Sequence, residues 1–552
     1  MLAIPALVIS ATAQIHPTPF KNGCVVSDSA IASQVGAQIM KQGGNAVDAA
    51  VATGLALAVT FPAAGNLGGG GFMVVRMADG FSAAIDYREV APRSASRDMF
   101  LDATGKVTND SLEGYRASGV PGTPMGMWRA HRMFGKLPWK AVVEPSIKLA
   151  REGFIVDRGL ADDLKQAARL FKKFPASYSQ FCRNGKFYQW GETFKQPELA
   201  RTLKLIQEQG AVGFYHGETA TKIAKAMRAQ KGEITEADLQ AYQAIVRMPV
   251  RGKYKDFQFL TMPPPSSGGV CLLQMLQTLE PFDLKGKGFQ SAGTMHLITE
   301  AMKLSFADRS QYFGDPGFVS VPIEQLLSPN YIAQRRKMIK PNIATPSNEI
   351  RPGLDPMKEG EHTTHYSVVD KWGNAVSNTY TLNTGFGSGV TVAGFLLNNE
   401  MDDFAAKVGE PNVYGLVQGE ANAIAPGKRP LSSMTPTIVL KNGKLHSVLG
   451  SPGGPTIINT VLQTFLNVSE FGMSIQEAVA APRFHHQWLP DQIRYEPNGL
   501  NAELKSALEK MGHKFAARPG RMGSCHAIQI GPDSVRFAGT DPRVSSSGAA
   551  GY

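Results

Sequence analysis

The 552-residue chain carries none of the common hydrolytic or metal signatures: it has no GxSxG elbow, no HExxH and no Walker-type phosphate loop. Its nearest metal-like pairs are His362-x-x-His365 and His485-His486, and neither has carboxylates or thiolates at ligand spacing. Residues three apart on a strand point to opposite faces, so His362 and His365 do not converge, and all four read as structural or solvent-facing histidines. The four cysteines, Cys24, Cys182, Cys271 and Cys525, are scattered without a CxxC pair, which argues against a disulfide scaffold and a zinc site. What remains is a concentration of small hydroxyls and amides in the last third. It comprises Thr363-Thr364, Thr379-Tyr380-Thr381-Leu382-Asn383-Thr384, Ser432-Ser433 and Ser451-Pro452-Gly453-Gly454.

Each of these alone reads as an ordinary strand or turn position; together they suggest a site. Thr363 begins a strand-like stretch just after residues 341–362, a Pro-, Gly- and charge-rich segment that reads as an exposed, mobile linker. Cleavage of the bond before such a Thr leaves a free α-amine beside a hydroxyl. That amine, with an unperturbed pKa of about 7.7–8.0, can take the hydroxyl proton at neutral pH without a histidine. A Pro-Gly-Gly turn ahead of a helix, as at Pro452 to Gly454, offers unobstructed N–H groups to a developing oxyanion.

These residues need elements to position them. From Ile31 to Phe61 apolar residues recur at three and four apart, predicting buried helices closed by Pro62. Gly68-Gly69-Gly70-Gly71 then precedes the strand-like Phe72-Met73-Val74-Val75; without GxGxxG or P-loop spacing it implies close backbone packing or a tight turn, not a nucleotide loop. Residues 138–243 and 293–312 read mainly as helical, with a strand at 257–261. After the linker, short strands are predicted at 363–370, 375–381, 437–440, 444–449 and 527–530, with helices at 456–469 and 475–480.

Composition bounds the rest. Hydrophobic residues make up 43% of the chain, enough for a large buried core. The net charge is +11, but from Thr363 onward 15 basic residues face 14 acidic ones, so the excess sits in the first two thirds. There it is spread without a run of four basic residues and without a nucleic-acid-binding pattern, so nucleic acid is not an expected partner. Residues 1–13 carry an apolar run and Ala11-Thr12-Ala13, as an export signal does, but lack its basic start, so they read as a truncated signal, with a buried first strand as the alternative. No segment reads as a membrane span, and a soluble protein is expected.

Several spelled-out motifs resemble γ-glutamyltransferase. They are Gly43-Gly44-Asn45-Ala46-Val47-Asp48-Ala49-Ala50, the tract at Gly68 to Gly71, Asp86-Tyr87-Arg88-Glu89, Thr363-Thr364-His365-Tyr366-Ser367-Val368-Val369-Asp370 and Thr379 to Asn383. Leu397-Asn398-Asn399-Glu400-Met401-Asp402-Asp403-Phe404, Arg429-Pro430-Leu431-Ser432-Ser433-Met434 and Ser451 to Gly454 continue the series, in order, over the chain from Val25.

The resemblance implies an α/β (α+β) fold, the four-layer αββα sandwich of amino-terminal-nucleophile hydrolases, built from two autoprocessed subunits. A precursor would cut itself between His362 and Thr363, giving a large subunit, 14–362, and a small catalytic subunit, 363–552. Thr363 would then attack the γ-glutamyl carbonyl of glutathione or a related amide and pass the acyl group to water, an amino acid or a dipeptide. By the same resemblance Thr381 orients Thr363, and Gly453 and Gly454 form the oxyanion hole. Arg88, Ser432 and Ser433 grip the substrate's α-carboxylate, a sensible anion clamp, while Asn383, Glu400 and Asp403 recognise its α-ammonium. Pro411-Asn412-Val413-Tyr414 resembles a lid whose Tyr414 closes over the glutamyl pocket.

The family carries Gln or Glu at the position of Glu400, so charge there is expected to tune pH dependence or acceptor preference. The segment from Thr384 to Phe395 is shorter than in some relatives, which would reshape the acceptor side. No metal or cofactor is implied, and the family points to a periplasmic or secreted protein. The nearest rivals are a glutaryl cephalosporin acylase or a poly-γ-glutamate-processing enzyme of the same fold; the Tyr414 lid and the full α-amino clamp favour the transferase. A non-catalytic, uncleaved protein is the rival of another class.

Overall fold

Phe72 and Val74 alternate with Met73 and Val75 along one strand, and the two sets enter different cores. That division organises the whole molecule, a computed structural model that describes residues 16–352, 363–407 and 420–552. Residues 1–13, His362 and Tyr414 therefore lie outside the described residues.

Two seven-stranded antiparallel sheets stack face to face. Their strands, in chain order, are β1 (Thr18–Phe20), β2 (Cys24–Ser27), β3 (Gly70–Arg76), β4 (Ser82–Tyr87), β5 (Ile245–Arg247), β6 (Val250–Tyr254) and β7 (Phe257–Thr261). There follow β8 (Thr364–Val369), β9 (Ala375–Thr381), β10 (Thr437–Lys441), β11 (Lys444–Leu449), β12 (Ala527–Ile530), β13 (Arg536–Gly539) and β14 (Gly548–Gly551). One sheet runs β14-β2-β8-β9-β3-β4-β5 and the other β1-β13-β12-β11-β10-β7-β6.

Helices cover both outer faces. Over the first sheet lie α1 (Ala30–Lys41), α2 (Ala46–Thr60), α3 (Thr123–Phe134), α4 (Trp139–Glu152) and α5 (Pro197–Gln209); over the second lie α6 (Gly268–Leu279), α7 (Ala292–Tyr312), α8 (Thr456–Ser469) and α9 (Ile475–Ala480). The middle core holds Phe72 and Val74 against Leu260, Ile438 and Val448 of the facing sheet. The result is the expected αββα sandwich.

Local chemistry explains the framing of the site. Helix α2 starts at a capping box, Asn45 with Asp48, and ends before Pro62. Its fifteen residues are all buried, so it reads as hydrophobic all round, as a core helix must. The glycine tract works by close approach: a Cβ on Gly71 would stand 2.4 Å from Tyr380 Cβ, so only glycine lets β3 lie this close to β9.

Residues 341–352 are irregular, with more than half of them exposed, and are anchored at their buried positions. Lys303 Nζ donates to the Thr345 carbonyl (2.7 Å), Ser347 Oγ donates to Asp491 (2.7 Å), and Trp488 Nε1 donates to the carbonyls of Ser347 (2.8 Å) and Ile350 (2.9 Å). Ser347 and Ile350 are buried, and the irregular backbone there needs these partners because it has no ladder of its own. The rest of the linker, 353–362, lies outside the described residues. The four cysteines are free.

Candidate active site

Strands β8 and β9 are neighbours at the centre of their sheet, paired Thr364 to Tyr380. One step further along that antiparallel register, Thr363 at the mouth of β8 stands opposite Thr381 at the end of β9. Thr381 is fixed on several sides. Its carbonyl accepts from Asn66 Nδ2 (2.8 Å), its hydroxyl accepts from the Asn383 N–H (2.8 Å), and its backbone pairs with Gly70. Asn383 turns the chain with a positive φ of 76° and donates through Nδ2 to the Asn399 carbonyl (3.0 Å).

Arg88, just past β4, is fully buried. Its guanidinium bonds Glu400 and Asp403, and donates to the carbonyls of Pro430 (3.2 Å) and Leu431 (2.9 Å). The structure thus gathers Arg88, Glu400, Asp403 and the Pro430–Ser433 segment at one point. Ser433 Oγ accepts from Arg309 (3.3 Å), and the Ser432 carbonyl accepts from the Ser267 N–H (2.8 Å). Arg88 contacts the main chain of this segment, and its own carboxylate partners are the residues expected at the ammonium side.

Burial works against the Arg88 charge, but Glu400, Asp403 and Glu89 outweigh it and hold its pKa above the ordinary value. Burial pushes Glu400 well above the carboxylate range despite Arg88, and burial raises Glu89 to about 8. Glu89 belongs to the Asp86-Tyr87-Arg88-Glu89 motif, but the resemblance assigns it no role. Its Oε2 is where a Cβ on Gly70 would come within 2.7 Å, so it lies beside the strand residue that pairs with Thr381.

The Ser451-to-Gly454 turn leaves β11 and enters α8. Gly453 and Gly454 both have positive φ, 125° and 56°, which glycine adopts without strain. The turn begins close to β8: a Cβ on the preceding Gly450 would sit 2.1 Å from the His365 ring, which itself bonds Thr379 Oγ1 (2.8 Å) and Ser367 Oγ (3.0 Å). Ser377 of β9 donates to the Leu449 carbonyl (2.8 Å) and so pins the two sheets together.

His365, His485 and His486 are buried, and His485 bonds Asn459 (2.6 Å) while His486 accepts from the Trp488 N–H (3.0 Å). A cluster the sequence did not suggest is His296, Glu300 and His513, whose donor atoms lie within 4.8 Å of one another. Lys303 Nζ already neutralises Glu300 at 2.6 Å, and the two imidazoles bond each other at 2.9 Å, so this donor set does not favour a cation.

A helix-covered double sheet with a hydroxyl residue heading a central strand defines the class of N-terminal-nucleophile hydrolases. The cephalosporin acylase from Bacillus halodurans superposes with a TM-score of 0.85 at 28% identity, covering 100% of this chain and 99% of that one. The family model for Gamma-glutamyltranspeptidase matches residues 32–551. The chain is 51% identical to a glutathione hydrolase proenzyme of Escherichia coli (strain K12), covering 97% of this chain and 93% of that protein. It is 36% identical to the acylase ACY 1 proenzyme of Pseudomonas sp. (strain SE83), covering 96% and 93%. The chain belongs to the gamma-glutamyltranspeptidase family, whose members are enzymes with transferase and hydrolase activity.

Proposed function

We propose that this chain is a self-processing γ-glutamyltransferase and glutathione hydrolase with Thr363 as nucleophile. The observation that carries the reading is the position of Thr363, one step beyond the Thr364–Tyr380 pair at the mouth of β8, on a strand whose His365 packs against Gly450 just ahead of the Ser451-to-Gly454 turn. In the precursor the Thr363 hydroxyl attacks the His362 carbonyl, the acyl group shifts from N to O, and water hydrolyses the ester. That step frees the α-amine of Thr363 and divides the chain into residues 14–362 and 363–552.

In the mature enzyme the amine takes the hydroxyl proton as Thr363 Oγ attacks the γ-glutamyl carbonyl. The N–H groups of Gly453 and Gly454 receive the oxyanion, whose collapse breaks the γ-amide C–N bond and releases the amine with the proton that the Thr363 amine took, leaving the acyl-enzyme. A zwitterionic α-amino acid head needs a cation and an anion side by side, and Arg88 beside Glu400 and Asp403 presents that pattern. The α-carboxylate goes to Arg88, Ser432 and Ser433, and the α-ammonium to Glu400, Asp403 and Asn383; Tyr414 closes the lid. Water or the amine of an amino acid or dipeptide then takes the acyl group. Residues 1–13 serve as the export signal of a periplasmic or secreted protein. No helix among the described residues is long and apolar enough to cross a membrane.

The test is a denaturing gel with amino-terminal sequencing, followed by 4-nitroaniline release from γ-glutamyl-4-nitroanilide with and without glycylglycine. A fragment beginning Thr363-Thr364-His365-Tyr366 and a rate that rises with glycylglycine are expected. An intact, inactive chain overturns the proposal; cleavage without γ-glutamyl activity moves the reading to an acylase.

A further inference from the structure

A buried polar cluster that none of these steps uses touches the residue next to Thr363. Asp28, between β2 and α1, accepts from Thr364 Oγ1 through Oδ2, and from Ser524 Oγ (3.0 Å) and His526 Nε2 (2.7 Å) through Oδ1. All four residues are at most 2% exposed. The Ser524 N–H donates in turn to Ser451 Oγ (3.1 Å), and Ser451 opens the Ser-Pro-Gly-Gly turn. His526 is itself anchored, its N–H donating to the Gly450 carbonyl (3.1 Å) and its carbonyl accepting from Ser367 Oγ (3.0 Å). A continuous series of hydrogen bonds, Thr364 to Asp28 to Ser524 to Ser451, therefore joins the nucleophile strand to the glycine turn.

The cluster is not a second nucleophile. Ser524 and Asp28 meet the same ring nitrogen, and His526 Nδ1 has no hydrogen-bond partner among the described residues. In a Ser-His-Asp triad the serine and the carboxylate bind opposite nitrogens. What the geometry offers is an anchor, because a carboxylate that accepts three donors is held on every side and its hydrogen bonds are stronger than neutral ones.

We propose that Asp28, fixed by His526 and Ser524, is a positioning residue. It holds Thr364, and so sets where the hydroxyl and amine of Thr363 stand relative to the Gly453–Gly454 turn, in self-cleavage and in acyl transfer. The proposal rests on Thr363 being the nucleophile.

The test uses the full chain with Asp28→Asn, Thr364→Val, Thr364→Ser and, as the control on the underlying reading, Thr363→Ala. Fragment appearance is timed on gels, kcat and KM are measured with γ-glutamyl-4-nitroanilide, and thermal midpoints are recorded. Since misplacement of reacting groups by about 1 Å costs on the order of 100-fold, Asp28→Asn and Thr364→Val should slow cleavage and lower kcat by roughly ten- to a hundredfold with KM little changed. Thr364→Ser, which keeps the hydroxyl, should restore both. Val and Ser variants that both match the native rates, or a Val variant altered only in thermal midpoint, overturn the proposal. If Asp28→Asn does not fold, the Val and Ser pair decides. A Thr363→Ala chain that still cleaves overturns the nucleophile reading itself, whatever Asp28 does.

Discussion

Gly69 and Thr381 meet backbone to backbone: a Cβ on Gly69 would stand 1.9 Å from the Thr381 carbonyl oxygen. That carbonyl also accepts from Asn66 Nδ2, and the Gly69 N–H donates to Asn66 Oδ1 (3.0 Å), so the tract, the amide and the end of β9 form one unit. Gly69→Ala must displace Thr381 from its place opposite Thr363. We expect a loss of about 2–3 kcal/mol in urea unfolding and a chain that stays uncleaved on a denaturing gel. Native-like cleavage would show that Thr381 tolerates the shift.

Arg88 bonds two carboxylates and two carbonyls at once, which only a planar five-donor fork can do. Arg88→Lys keeps the charge and loses the fork, so KM for the γ-glutamyl donor should rise on the order of 100-fold while kcat changes much less. Arg88→Met leaves buried carboxylates without their cation and should cost about 3–5 kcal/mol of stability, seen as a fall in thermal midpoint.

Glu89 gives a pH dependence with a definite sign. Burial raises its pKa from 4.5 to about 8, so the folded chain holds a proton that the unfolded chain releases. The stability this contributes is full below the unfolded value and is lost as pH rises through about 8. Glu89→Gln keeps the neutral form throughout. Between these two pKa values the native stability should fall with pH more steeply than that of the variant, by up to about 1.4 kcal/mol per pH unit. Parallel thermal-midpoint curves would mean that Glu89 is ionised throughout.

Periodicity exposed the elements that are long or strongly patterned. The helices at 456–469 and 475–480 and the strands at 257–261, 375–381 and 444–449 have the boundaries read from sequence. β14, Gly548–Gly551, was not legible, because its Gly-Ala-Ala-Gly has no β-branched or aromatic residue and becomes a strand only by pairing with β2. The candidate site was legible where its residues fall in contiguous motifs. Asp28 and His526 were invisible for the opposite reason: they lie 498 residues apart in sequence, and only the sandwich brings them together. In residues 341–352, Pro, Gly and charge predict the irregular, largely exposed backbone but say nothing of the anchors that Trp488 and Asp491 provide.

That anchoring leads to a last prediction. Trp488 Nε1 is shared between the carbonyls of Ser347 and Ile350, and burial of the indole places its N–H where no solvent can replace those acceptors. Trp488→Phe retains most of the ring packing and removes both bonds, so residues 347–350 should open locally while the sandwich stays folded. Limited proteolysis reads this directly: cuts within 341–352 should accelerate several-fold at a thermal midpoint lowered by only a few degrees, as expected for a loss of about 1–2 kcal/mol. Because this segment leads toward Thr363, self-cleavage timed in the same samples asks whether its anchoring also presents the scissile bond. A protease pattern identical to the native one would mean that Ser347 with Asp491 and Thr345 with Lys303 suffice to hold it.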